Sequence, residues 1–225
     1  MGSLYMLATP IGNLADLTER AKQLLASDAV LACEDTRTSR KLLHHLGLQA
    51  HLVSCRGQNS STCVPRLLEE LSAGRDVVYL TDAGTPGVSD PGAALVRGAR
   101  EAGHSVVPIP GPSAVTALMS VSGIAGRGWY FEGFLAPKGA KRQTRLRELV
   151  ARGDPFVLFE SPYRVAKLAA DLVATAGDWQ IVLGRELTKA FEQVAAFSVA
   201  EFAQSIEAGD VPTKGEFAIL VWPGV

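Results

Sequence analysis

The stretch Thr81-Asp82-Ala83-Gly84-Thr85-Pro86-Gly87-Val88-Ser89-Asp90-Pro91-Gly92 follows the strongest strand signal of the chain, 76–81, and runs into helical spacing over 91–102. It is too long, and too rich in Gly, Pro and Asp, for a minimal strand-to-helix turn. Its glycines permit positive φ and close approach of the backbone to a ligand. Asp82 and Asp90 add acceptors that suit a ribose hydroxyl or a cation better than a phosphate. The same aspartates also suit the capping of turns and helices.

Outward from this loop the first half alternates. Strand signals over 4–8, 29–33, 51–54, 76–81 and 105–108 interleave with helical spacing over 17–27, 36–46, 63–71, 91–102 and 113–121. Asp16 stands as a candidate N-cap for the first helix, and Gly47 and Gly74 as stops. Such alternation predicts a parallel sheet covered on both faces, an α/β fold. Residues 122–128 carry three glycines and few large side chains, so the expected boundary separates a domain at 1–122 from one at 123–225. Strands over 129–132, 155–159, 179–184 and 216–222, with helices over 141–151, 162–175 and 198–207, make the second half another α/β or α+β unit.

In open α/β sheets ligands bind outside the carboxyl ends of the strands. Three further loops sit there. Thr9-Pro10-Ile11-Gly12-Asn13 reads as a stiff turn with exposed backbone. Pro108-Ile109-Pro110-Gly111-Pro112-Ser113 holds Ser113 as a candidate helix cap among prolines. Gly184-Arg185-Glu186-Leu187-Thr188-Lys189 offers an Arg–Glu pair, which as a solvated ion pair would be worth little.

The chain has 225 residues, 47% hydrophobic and 20% charged, an ordinary globular balance. No apolar run reaches the roughly 20 residues needed to span a bilayer. No basic segment precedes an apolar one at the N-terminus, so a cytoplasmic protein without a membrane partner is expected. Cys33, Cys55 and Cys63 are odd in number and form no C-x-x-C pair, so free thiols are expected, with neither a disulfide nor a metal site. His44, His45, His51 and His104 show no ligand spacing, and His44 and His45 are expected to face solvent. Signatures of P-loop ATPases, dinucleotide-binding Rossmann folds, zinc peptidases and serine hydrolases are missing.

A net charge of −1 excludes a protein coated in basic surface, so any nucleic-acid site must be local. Residues 138–147 supply one candidate, with five basic residues and no acidic one, just after the aromatic segment Phe131-Glu132-Gly133-Phe134-Leu135. Arg37, Arg40 and Lys41 form a smaller cluster behind Glu34-Asp35. A solvated helix face is the plain alternative for both.

Seven segments in order resemble one family: Thr-Pro-Ile-Gly-Asn at 9–13, Glu-Asp-Thr-Arg at 34–37, the Asp82–Gly92 loop, Pro-Gly-Pro-Ser-Ala at 110–114, Tyr-Phe-Glu-Gly-Phe-Leu at 130–135, Glu-Ser-Pro-Tyr-Arg at 160–164 and Arg-Glu-Leu-Thr-Lys at 185–189. From about residue 4 to about residue 222 the chain resembles the small-subunit ribosomal RNA methyltransferase I branch of the tetrapyrrole methylases. The resemblance implies a two-domain fold, with an N-terminal parallel-sheet αβα domain, a C-terminal mixed-sheet α/β domain and the cofactor in the cleft between them. It implies S-adenosylmethionine as cofactor, methyl transfer to the 2′-hydroxyl of a cytidine in small-subunit ribosomal RNA, free or in the assembled subunit, and a homodimer. Carried over by motif, the cofactor meets Pro10, Asp82, Ala83, Gly84, Thr85, Val88, Asp90, Ser113 and Ala114, with Leu135, Arg185 and Glu186 from the second domain.

Asp82, Asp90, Glu34 and Asp35 are the candidate proton acceptors, and Arg37, Arg40, Lys138, Lys141 and Arg142 the candidate RNA contacts. Two features depart from the family pattern. Where relatives carry His-x-His-Asn-Glu, this chain has Arg56-Gly57-Gln58-Asn59-Ser60 and keeps only Asn59; and it stops at Val225, where many relatives continue into a helical extension, so that RNA affinity is expected to rest on the core. The competing readings are a methylase of a small tetrapyrrole, a cofactor-binding protein without turnover, and an RNA-binding assembly factor.

Overall fold

The computed structural model describes residues 1–88, 92–124 and 128–224. Its chain forms two compact units, Met1–Ser113 and Ala114–Val225.

In the first unit β1 (Leu4–Leu7), β2 (Val30–Cys33), β3 (Leu52–Ser54), β4 (Val77–Leu80) and β5 (Val106–Ile109) make a sheet in the order β3-β2-β4-β1-β5, with every pairing parallel. The strands are apolar on both faces because helices cover both. Leu7, Leu31, Val78, Leu80 and Ile109 pack with α1 (Glu19–Leu25) and α2 (Thr36–His45). Leu4, Ala32, Val77 and Tyr79 pack with α3 (Ser60–Ser72) and α4 (Gly92–Glu101). Neighbouring strands β1 and β4 therefore send their chains to opposite faces, which opens a crevice at their carboxyl ends.

Local details differ from the expectations. Asn13 caps a single 3-10 turn over Leu14–Asp16, and Thr18, not Asp16, caps α1 by accepting from the Ala21 amide at 3.3 Å. Cys55 and Cys63 are joined in a disulfide, contrary to the expectation of free thiols; the end of β3 and the first turn of α3 bring their Cα atoms to 5.5 Å, a proximity that the lack of a C-x-x-C pair does not exclude. Cys33 remains a buried thiol, and burial pushes its pKa up.

The second unit consists of α5 (Ala114–Val121), β6 (Tyr130–Phe134), α6 (Ala140–Ala151), β7 (Phe156–Glu160), α7 (Val165–Ala176), β8 (Gln180–Arg185), β9 (Gln193–Ser198), α8 (Val199–Ala208) and β10 (Phe217–Trp222). Its sheet runs β6-β7-β10-β8-β9, with β6 and β7 parallel and the other pairings antiparallel. Phe156, Leu158, Ile181, Leu183 and Ile219 face α6, α7 and α8. Val157, Val182, Ala218 and Leu220 face α5 through Val115 and Leu118. Thus α5 belongs to the second unit's core, ahead of the glycine-rich boundary read at 122–128. Gly184 lets it sit close, since a Cβ there would lie 3.1 Å from Leu118 Cδ1. Strand β9 was not expected. Among the described residues no helix is long and apolar enough to cross a membrane.

Candidate active site

The first unit gathers the loops that follow its five strands at the carboxyl edge of its sheet, and they brace one another. Beyond β1, Thr9 and Gly84 form an antiparallel bridge, each amide donating to the other's carbonyl at 3.0 Å. Thr9 Oγ1 donates to the Thr81 carbonyl at 3.2 Å, and Thr85 Oγ1 to the Pro112 carbonyl at 3.0 Å. Gly84 adopts φ 78°, and a Cβ there would stand 3.2 Å from Ile11 Cγ2 and 3.6 Å from the Pro112 oxygen. Gly111 lies as close to β1, where a Cβ would come within 3.0 Å of Ala8 Cβ. Only glycine satisfies both the backbone angle and the gap at position 84. The Pro-Gly segments are thus parts of one stiff frame carrying the β4 loop.

Asp82 links this frame to the end of β2, its Oδ1 accepting from the Asp35 amide at 2.9 Å. Asp35 in turn caps α2, accepting from the Arg37 amide at 2.9 Å, and the Arg37 guanidinium grips both carboxylate oxygens, the shortest contact being 2.6 Å. These Arg37 side-chain and backbone hydrogen bonds hold the Asp35 carboxyl far below the usual carboxylate range, against a smaller opposing effect of burial. Arg56 reaches the same place. Its Nε donates to the Glu34 carbonyl at 3.0 Å and its Nη2 lies 3.4 Å from Asp35 Oδ1. Asn59 closes the 56–59 loop, accepting from the Arg56 amide at 2.6 Å and donating to the Ser54 carbonyl at 3.1 Å. The one residue kept from the relatives' His-x-His-Asn-Glu segment is thus a loop-closing residue.

Glu34, Asp35, Pro10 and Asp82–Val88 therefore share one edge of the first unit, and Ala83 and Val88 are open to solvent there. Ser113 ends the β5 loop, while Ala114 opens α5 in the second unit. Asp90 lies outside the described residues. Arg37 and Arg40 are exposed.

The second unit corrects several expectations. Arg142 is not an RNA contact: its side chain is 0% exposed, with Nη1 3.0 Å from Glu160 Oε2 and Nε 2.7 Å from Asp171 Oδ2. Arg145, in the same basic run, is paired with Glu132 and Glu148 at 2.7 and 3.0 Å. Lys138 and Lys141 are exposed and make no ion pair among the described residues. Leu135 points into the core beside α6 and α7, which leaves only its backbone for a ligand. Arg185 is buried and donates to the carbonyls of Lys214 at 2.7 Å and Phe191 at 3.2 Å. Glu186, at φ 50°, accepts from Lys189 Nζ and from the Glu216 amide, both at 2.8 Å. The side chains of this pair build the β8–β9 turn and are spent there. Sequence reasoning passed over Thr9 and Arg56, whose roles come from partners far along the chain.

The model of the tetrapyrrole (corrin/porphyrin) methylases matches residues 3–203. Ribosomal RNA small subunit methyltransferase I of Neisseria meningitidis is 40% identical over 222 residues, 99% of this chain and 76% of that protein. The protein of the same name from Borrelia garinii is 41% identical over 97% of both chains. Among solved structures, uroporphyrin-III C-methyltransferase of Thermus thermophilus superposes with a TM-score of 0.67 at 20% identity, covering 98% of this chain and 97% of that one. A second structure of that enzyme, with S-adenosyl homocysteine, gives 0.66 at 19% over 98% and 97%. Cobalt precorrin-4 methyltransferase gives 0.68 at 19% over 98% and 94%. These structural likenesses carry the two-domain α/β fold, and the sequence relatives carry the finer assignment: the chain belongs to the tetrapyrrole methylase family, within its ribosomal RNA small subunit methyltransferase I group.

Proposed function

We propose that this chain transfers a methyl group from S-adenosylmethionine to the ribose 2′-hydroxyl of a cytidine in small-subunit ribosomal RNA. The observation that carries the reading is the likeness, over nearly the whole of this chain and at about 40% identity, to proteins named for that RNA. The braced edge of the first unit supports it.

That edge fits a nucleoside-like donor. Gly84 and Gly111 keep the loops free of side chains where backbone must pass closely, Ala83 is a small exposed residue, and Asp82 supplies an acceptor. Pro10, Asp82–Thr85, Val88 and Ser113 of the first unit would hold the cofactor, together with Asp90. When bound, the donor supplies a methyl group already activated by a positive sulfur. Catalysis then rests chiefly on position. The Thr9–Gly84 bridge and the Thr85–Pro112 hydrogen bond supply that stiffness.

The attacking hydroxyl must lose a proton. Asp35 is a poor acceptor, because a carboxylate held so far below its ordinary range is a weak base. Glu34, Asp82 and Asp90 remain the candidates. Arg37, Arg40, Lys138 and Lys141, all exposed, would meet RNA phosphates, with the protein acting in the cytoplasm as a homodimer. Mass mapping of ribose methylation in small-subunit RNA tests the reading: a cytidine should gain one methyl when purified protein and S-adenosylmethionine are added, and no gain on free RNA or on assembled subunits would refute it.

A further inference from the structure

We propose that Tyr163, on the same sheet edge as Phe134, is a stacking platform for unpaired bases of the substrate RNA. The proposal rests on the RNA-methylating reading above and adds a binding element to it.

The edge of the second unit where β6 and β7 end carries both rings. Phe134 and Phe159 are register partners on these parallel strands, with ring centroids 5.7 Å apart, and Phe134 is left 55% exposed. Four residues after Phe159, Tyr163 is 96% exposed, and among the described residues it makes no hydrogen bond or ring contact. A mobile tail would account for such a side chain, but this turn is anchored. The Glu160 carboxylate, three residues earlier in the chain, is 1% exposed; it accepts from the Ser161 amide at 2.8 Å and Arg142 Nη1 at 3.0 Å and is ion-paired with Arg164 Nη2 at 2.7 Å. The Arg164 amide closes the turn on the Ser161 carbonyl at 3.0 Å. Burying such a cluster gains little stability compared with an apolar replacement, so its consequence is geometric. It fixes the turn, and Pro162 stiffens it further.

A rigidly carried tyrosine, with only two side-chain torsions to order, is a cheap contact for a flat partner. The partner's charge is indicated by Lys138 and Lys141, which precede and enter α6 next to Arg142, stand exposed on the same edge and lack ion pairs among the described residues. Aromatic faces beside unpaired lysines fit single-stranded nucleic acid, whose bases stack while its phosphates meet the cations. A second copy of the chain is the competing occupant, and the test separates the two.

Tyr163→Ala, Tyr163→Trp and Lys141→Glu would be compared with the wild type. The measurements are affinity for small-subunit RNA and for assembled small subunits across a salt series, affinity for S-adenosyl homocysteine, and sedimentation. Tyr163→Ala should weaken RNA binding roughly 5- to 150-fold with the salt slope unchanged, since stacking releases no counterions. Tyr163→Trp should restore it. Lys141→Glu should lower the slope by about 1 or more. Affinity for S-adenosyl homocysteine should stay at the wild-type value throughout. Wild-type RNA affinity in Tyr163→Ala overturns the proposal while leaving the methylating function standing. A loss of affinity accompanied by lost self-association also overturns it, assigning the ring to a second copy. If the wild type itself neither binds nor methylates the RNA, the functional reading falls and this proposal falls with it.

Discussion

Arg142 is the residue whose replacement separates structure from RNA contact most sharply. Arg142→Met keeps most of the side-chain volume and removes the charge, leaving Glu160 and Asp171 without their shared partner. Breaking a buried pair by removing one member costs about 3–5 kcal/mol. The lower end applies here, because Glu160 Oε1 keeps the Ser161 amide and Arg164, and Asp171 retains some solvent access. With a urea dependence of about 2 kcal/mol per molar, a loss of about 3 kcal/mol lowers the midpoint by about 1.5 M. The assay is selective: Trp129, Trp179 and Trp222 all lie in the second unit, so tryptophan fluorescence follows the unfolding of that unit. Glu160→Gln added to Arg142→Met should recover part of the loss, since one of the stranded charges is gone. An unchanged midpoint together with weaker RNA binding and a shallower salt slope would refute the reasoning and return Arg142 to the phosphate contacts.

Gly84→Ala forces a Cβ onto a residue at φ 78°, 3.2 Å from Ile11 Cγ2, and should cost about 1–2 kcal/mol of stability and weaken S-adenosyl homocysteine binding in calorimetry. Arg37→Ala should move the Asp35 titration up toward the ordinary value of about 3.9, read by carboxyl-carbon NMR. Because folding depresses that pKa, the stabilisation it brings is present above about pH 4 and is lost as the pH falls through the lowered folded value; at pH 7 this exposed pair should matter little to the midpoint. The disulfide closes a short loop, eight residues apart in sequence, and should contribute about 2.5 kcal/mol to the first unit. Thiol titration of the denatured chain should find Cys33 alone before reduction, and all 3 cysteines after it.

How much of this was legible depended on the range of each interaction. The first unit's alternation could be read because all-parallel strands buried on both faces show as unbroken apolar runs such as Val77–Leu80. Strand β9 could not, because it is an edge strand carrying small and half-exposed side chains, and its backbone pairing with β8 leaves no mark on hydrophobic spacing. The sheet that α5 covers was also hidden, since an apolar helix does not declare its partner. The loops of the candidate site stood out through Gly and Pro, yet their bracing by Thr9, Thr85 and Arg56 depends on partners tens of residues away. The basic run at 138–147 misled for the same reason: its charges look unopposed in sequence, but Glu132, Glu160 and Asp171 oppose two of them in space.

A crystal structure with S-adenosyl homocysteine bound would test the central claim most directly. The ligand should lie against the backbone of Ala83–Thr85 at the carboxyl edge of β4, within reach of Asp82 and Pro10, with the Thr9–Gly84 bridge intact. Clear density for the ligand at any other place on the chain would contradict the account.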